Sequence, residues 1–166
     1  LIKRVRTMED IEAGLRMYTE QNCKVNVFYT QSQVSEEEFY NTIQKWKFQI
    51  LEDDISVMVI DKATQDMAYF HYAVDLHEGE GSKDDKYTPT NFFLRAELTF
   101  HELIEHDAVK KLNIQQGQCA DVAAAANKKY QLRGLFNRVY DLWFYVAASK
   151  GFKYHFGIAL NPITIH

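Results

Sequence analysis

Four consecutive alanines, Ala123–Ala126, run into the basic, polar bend Asn127-Lys128-Lys129-Tyr130-Gln131-Leu132-Arg133. Gly134 then opens an amphipathic stretch that ends at Lys150-Gly151. This segment limits the possible folds more than any other, because it admits only two backbones. Alanine is the best helix former, so a single helix from about Cys119 to Lys150 satisfies propensity, although ~32 residues would be long for a globular helix. The alternative is a strand over 118–126, a bend, a helix over 134–150 and a further strand over 153–160. Asn127, the lysine pair and Gly134 favour a break, but local pattern alone leaves both readings open. In the second reading the bend delivers a helix whose first amides are unpaired. Free N–H groups and the positive end of the helix dipole converge there, which suits an anion such as the phosphate of a cofactor.

The rest of the chain alternates between both kinds of periodicity. Residues 2–6 weakly suggest an edge strand. Thr7-Met8-Glu9-Asp10 reads as a helix start, followed by Ile11, Leu15 and Tyr18 at helical spacing. Ser35-Glu36-Glu37-Glu38 is a stronger capping box, and Phe39, Ile43, Trp46 and Ile50 continue it as one helical stripe. Ile55–Ile60 is rich in β-branched residues and predicts a strand. Residues 63–66 predict a hairpin turn, and Met67–Val74 its return strand. Gly79–Pro89 reads as a loop and Phe92–Leu112 as a helix, with Gly117 ending that segment. The pattern predicts an α/β fold, and 166 residues predict one domain spanning 1–166.

Several function classes are disfavoured. The net charge of -4 gives no overall attraction for nucleic acid; the local cluster Lys128, Lys129 and Arg133 suits one small anion better than a polymer. No apolar run is long enough to span a membrane. Two cysteines, Cys23 and Cys119, form no disulfide framework, so a reducing, cytoplasmic setting is expected. The chain starts without Met and ends abruptly after Asn161-Pro162, which reads as a fragment or a trimmed chain. His101-Glu102-Leu103-Ile104-Glu105-His106 has the look of a zinc motif. Its histidines are five apart, however, and diverge by ~140° on a helix, so no metal site is expected there. His71, within the second strand of the hairpin, is expected to be a packed or surface histidine.

At Tyr130-Gln131-Leu132-Arg133-Gly134-Leu135-Phe136 the chain resembles the GCN5-related N-acetyltransferase superfamily. The acetyl-CoA motif of that superfamily is Gln or Arg, two residues, Gly, one residue, then Gly or Ala. Gln131 and Gly134 match it; Phe136 replaces the last small residue. The order of elements is also similar, including Gly151-Phe152, a strand and Asn161 after the helix. The long stretch from Leu76 to Gln118 resembles the insertion of arylalkylamine-type members.

The resemblance implies a GNAT-like mixed, largely antiparallel sheet flanked by helices, truncated at its C-terminus, and it favours the strand at 118–126. It also implies acetyl transfer from acetyl-CoA to a primary amine, expected to be a small molecule. Amides of Leu132, Arg133, Gly134 and Leu135 would cradle the pyrophosphate, with Gln131 and Phe136 in the same motif. Ala125 and Ala126 would lie along the pantetheine, Lys129 or Arg133 would add charge, and Asn161 would order the acetyl arm. The base that deprotonates the amine would be Asp121, on the cofactor strand, or Glu20, although the Glu-Pro-Leu signature of arylalkylamine-type members is replaced by Glu20-Gln21-Asn22. Two alternatives stand beside it: a non-catalytic module that binds CoA weakly or binds a protein partner, and a mainly helical interaction domain.

Overall fold

The computed structural model describes residues 1–78 and 87–157. Within them the chain forms one five-stranded sheet in the order β1-β2-β3-β4-β5: β1 (Ile2–Arg4), β2 (Val57–Ile60), β3 (Met67–Asp75), β4 (Cys119–Ala126) and β5 (Tyr154–Phe156). β1 to β4 pair antiparallel, and β5 lies parallel to β4. Six helices flank the sheet: α1 (Met8–Val25), α2 (Val27–Gln31), α3 (Glu36–Ile43), α4 (Lys47–Asp53), α5 (Phe92–Leu112) and α6 (Leu135–Ser149).

The break at the alanine run decides the fold. Ala123–Ala126 is strand, paired with Tyr72–Tyr69, and the helix begins only at Leu135. A single helix over Cys119–Lys150 and a mainly helical domain are therefore both overturned. Helix propensity loses here because the strand is wedged between two layers, where small side chains let both helical faces approach. Alternation along β4 sends Ala123 and Ala125 toward the larger core and Val122, Ala124 and Ala126 toward the smaller one. The larger core joins Ile11 and Leu15 of α1, Phe39 and Ile43 of α3, Ile50 of α4, Phe70 of β3 and Leu94 of α5. The smaller one packs Val139, Trp143 and Ala147 of α6 on Tyr69, Ala73 and Ala120.

The helix starts follow the capping residues. Thr7 accepts from the Asp10 amide, and Ser35 from the Glu38 amide. Asn91 caps α5 by accepting from the Phe93 and Leu94 amides, while its own amide nitrogen donates to the Ser32 carbonyl. Two expectations are corrected. The stripe Phe39–Ile50 is not one helix: a 3-10 turn at Gln44–Trp46 separates α3 from α4. The strand expected at Ile55–Ile60 begins at Val57. The loop residues 79–86, the continuation of the last strand over 158–160 and Asn161 lie outside the described residues.

Gly14 lets α1 approach the sheet. A Cβ built there would sit 2.2 Å from the Phe70 ring, and that ring is fully buried. Gly14→Ala gains helix propensity, yet overpacking outweighs it. The expected result is a loss of about 1–3 kcal/mol in urea unfolding.

Candidate functional site: the β4 edge and the α5 carboxylates

The site begins with hydrogen-bond parity on β4. The Asn127 N–H donates to the Ala68 carbonyl, and the Tyr154 N–H to the Gln118 carbonyl. In an antiparallel pair alternate residues bond the neighbour on one side. Asp121, Ala123 and Ala125 therefore bond β3, while Ala120, Val122, Ala124 and Ala126 turn their N–H and C=O groups toward β5. Among the described residues β5 pairs only with Cys119–Asp121, and Asp121 opposite Phe156 is the last pair. Among the described residues the Ala124–Ala126 edge beyond it offers backbone groups, except the Ala126 carbonyl, which accepts from Gln131 Nε2 at 3.0 Å.

The bend after β4 is held from several sides. Gln21 of α1, buried, accepts from the Lys128 N–H at 3.0 Å, and Asn127 Oδ1 accepts from the Lys129 N–H. The Tyr130 hydroxyl donates to Asp61 at 2.8 Å, and Lys129 Nζ lies 2.9 Å from Asp66, so the β2–β3 turn is pinned to the bend. Lys129 thus points at a carboxylate of its own chain, and Arg133 lies over the Tyr130 ring at 5.6 Å. Leu132 (φ 59°) is almost fully exposed, and Gly134 adopts φ 67°, a conformation glycine takes without penalty. Gly134 caps α6 with no side chain, which leaves the first amides of α6 open. Leu135 is partly buried against the smaller core. Phe136 does not fill the bend; its ring stacks on Tyr140 along α6, with centroids 5.4 Å apart.

On the opposite face Asp121 meets α5. Glu97, His101 and Glu105 recur every four residues and so share one face of that helix. His101 Nδ1 lies 3.3 Å from Glu105, and Nε2 lies 3.7 Å from Glu97. Burial, then the Glu105 carboxylate, push the Asp121 carboxyl up to about 7, with His101 and the Val122 amide opposing. Burial pulls the His101 imidazole down. The Glu105 hydrogen bond and the charges of Glu97, Glu105 and Asp121 outweigh it and leave His101 above its ordinary value. Glu97 is raised by burial. Tyr18, Tyr29 and Tyr72 line the same region, and burial raises all three phenols well above their ordinary value.

Chemically this is a carboxyl able to exchange a proton near neutrality, beside a strand edge that can bind an extended ligand. Neither cysteine competes as a nucleophile: burial pushes both thiols up to about 11.

Of the two carboxylates marked in the sequence, only Asp121 belongs to this group. Glu20 is exposed, with Lys24 at 2.9 Å, and is not among the charges acting on Asp121. Sequence reasoning missed Glu97, His101 and Glu105. The four-residue spacing was visible, but the segment was weighed only as a zinc motif. Among the described residues no cluster of three or more His, Cys, Asp or Glu is placed to hold a metal ion, and no helix is long and apolar enough to cross a membrane.

No protein-family model matches the sequence, and no curated protein matches it. Among solved structures, the fold is similar to the C-terminal condensation domain of Ebony in complex with β-alanyl-dopamine. The two share 15% identity at a TM-score of 0.80, over 99% of this chain and 78% of that one. This corrects the family identification. The solved structure named above is a condensation domain, not a GCN5-related N-acetyltransferase. Gln131 and Gly134 are too short a motif to carry that assignment once Phe136 breaks it. At this identity the likeness shows the fold: a mixed α/β sheet flanked by helices.

Proposed function

We propose that this chain is an acyltransferase that forms an amide between an acyl group, delivered as a thioester, and an amine. Acetyl-CoA is the proposed donor and a small primary amine the proposed acceptor. The observation that carries the reading is Asp121, a carboxyl poised near neutrality at the point where the described β4–β5 pairing ends. The fold neighbour supports it, because that domain is in complex with β-alanyl-dopamine, the β-alanyl derivative of an amine.

The residues present fit such a donor. The N–H groups of Ala124 and Ala126, turned to the β5 side, suit an extended amide-bearing arm. The open amides around Leu132–Leu135 suit a diphosphate, with Arg133 in the same bend as a cation. Phe136, turned onto Tyr140, leaves that space clear. The thioester, when bound, supplies an activated carbonyl. An amine reaches the site as an ammonium ion, attracted by Glu97, Glu105 and Asp121, and becomes a nucleophile only without its extra proton. Asp121 takes that proton first, and the freed lone pair then bonds to the carbonyl carbon. The C–S bond breaks, the thiolate leaves with its electron pair, and the second proton that the nitrogen sheds in becoming an amide ends on the sulfur. A β4 N–H facing the β5 side stabilises charge on the carbonyl oxygen.

The test pairs calorimetry with amide hydrogen exchange. Acetyl-CoA is expected to bind and to slow exchange over 122–136. Binding without protection there, or no binding, contradicts the proposed donor site.

A further inference from the structure

Helix α5 holds apolar side chains away from the sheet. Phe93, Ala96, Phe100 and Leu103 recur at i, i+3, i+7 and i+10, which confines them to a stripe ~80° wide. All four are exposed, and Phe93, Phe100 and Leu103 show 52%, 58% and 64% of their surface. On its other side the helix seats Leu94 and Leu98 in the larger core and carries Glu97, His101 and Glu105, which are mostly shielded. A surface helix ordinarily turns its apolar stripe inward, so the outer stripe is a surplus that the fold itself does not use. Phe92 extends it, edge-on to Phe93 with centroids 5.6 Å apart. Together these side chains expose about 400–500 Å² of apolar surface, the size of patch that is often an interaction surface.

We propose that this stripe packs antiparallel against the same stripe of a second copy of the chain. The spacing is that of a two-helix seam, with the a and d positions of successive heptads apolar. Antiparallel pairing about residue 98 sets Phe93 against the partner's Leu103 and Ala96 against the partner's Phe100. Each small side chain then faces a large one, so the surface is its own complement, as a two-fold interface requires. Charge fixes the direction. Asp107 and Lys110 continue the stripe, and a parallel pair would oppose each to its own copy. In the antiparallel pair both lie beyond the start of the partner's helix and leave the seam apolar. Two copies bring together about 800–1,000 Å² from these side chains, and the flanking turns carry the total to about 1,200 Å², the lower end for a specific interface. The dimer is therefore reversible. Neither helix needs a bound acyl donor to pair, so the surface stands apart from the acyl-transfer reading.

Sedimentation equilibrium of the full chain from about 1 to about 500 μM reads the association. The wild-type protein is expected to pass from monomer to dimer across that range. Phe100→Glu and Leu103→Glu, both at exposed positions, are expected to stay monomeric with an unchanged circular dichroism spectrum. Ala96→Phe and Phe100→Ala are each expected to weaken the dimer about tenfold, and the two together, which exchange large and small across the seam, to restore it to within about threefold of wild type. This exchange series decides the question even if a glutamate variant misfolds. A wild-type protein that is monomeric throughout, a dimer indifferent to Phe100→Glu, or a double variant no tighter than its parents overturns the proposal. So does a monomer that floats with phosphatidylcholine vesicles and loses them in Phe100→Glu, which assigns the face to a lipid surface.

Discussion

Asp121→Asn is expected to lower amide formation roughly 10²–10⁴-fold and, in the same protein, to raise stability at pH 8. The two effects share one cause. The carboxyl titrates near 7 in the fold against 3.8 when unperturbed. The folded chain therefore holds this proton more tightly than the unfolded chain, so the contribution of Asp121 to stability is fully present below about pH 4 and is lost as pH rises through 7. Above 7 the fold carries a poorly solvated charge. Three pH units correspond to about 4 kcal/mol, and partial solvent access reduces this to about 2–4 kcal/mol. Asparagine keeps the shape and removes the charge. Its gain should appear in urea unfolding at pH 8 and vanish near pH 4. A variant that loses activity without gaining stability would place Asp121 in a well-solvated, ordinary setting and end its candidacy as a tuned base. Such a trade of stability for activity is common where a site needs a group in an unfavourable environment.

His71→Phe is expected to tilt the pH profile the other way. His71 lies on β3, 1% exposed, stacked on Trp143 at 4.6 Å, and its Nε2 has no hydrogen-bond partner among the described residues. The Tyr69 hydroxyl is 3.4 Å from Nδ1. Burial, then nearby His155, lower its pKa from 6.5 to about 3. Here the unfolded chain binds the proton more readily, so this stability is full above about pH 6.5 and is lost as pH falls toward 3. The loss amounts to about 4–5 kcal/mol over that window. Phenylalanine cannot take up a proton and fills similar space against Trp143. Over pH 4–6.5 His71 and Asp121 act in opposite senses, so the wild-type protein should show a shallow profile there. Relative to it, His71→Phe should gain stability as pH falls, and Asp121→Asn should gain as pH rises. Unfolding midpoints that run parallel for all three proteins would show that neither buried group titrates as described.

Much of the fold was legible because it is written locally. Thr7 and Ser35 announce the starts of α1 and α3, and the β-branched run to Ile60 with its hairpin marks β2 and β3. The break between Ala126 and Gly134 was legible only as one of two choices, since alanine satisfies either backbone and tertiary packing decides. The turn at Gln44–Trp46 was hidden because Phe39, Ile43 and Ile50 stay on one buried side through it. The site was half legible. Asp121 stands out as an acid in an apolar strand, but its partners come from a helix that precedes it in the chain and reaches it across the core. The four-residue spacing of Glu97, His101 and Glu105 is common on solvated helices and gains meaning only when Asp121 lies opposite. The family was misjudged for a related reason. A two-residue match at Gln131 and Gly134 describes only a local bend, too little to mark a family.

Amide formation in this fold means that an amine nitrogen displaces a thioester sulfur beside Asp121. The most direct measurement incubates the protein with acetyl-CoA and a panel of primary amines and quantifies both the N-acyl product by mass spectrometry and the released thiol. The expected result is an amide formed in equal amount with the thiol and lost in Asp121→Asn. Thiol release without amide, or turnover unaffected by Asp121→Asn, would contradict it.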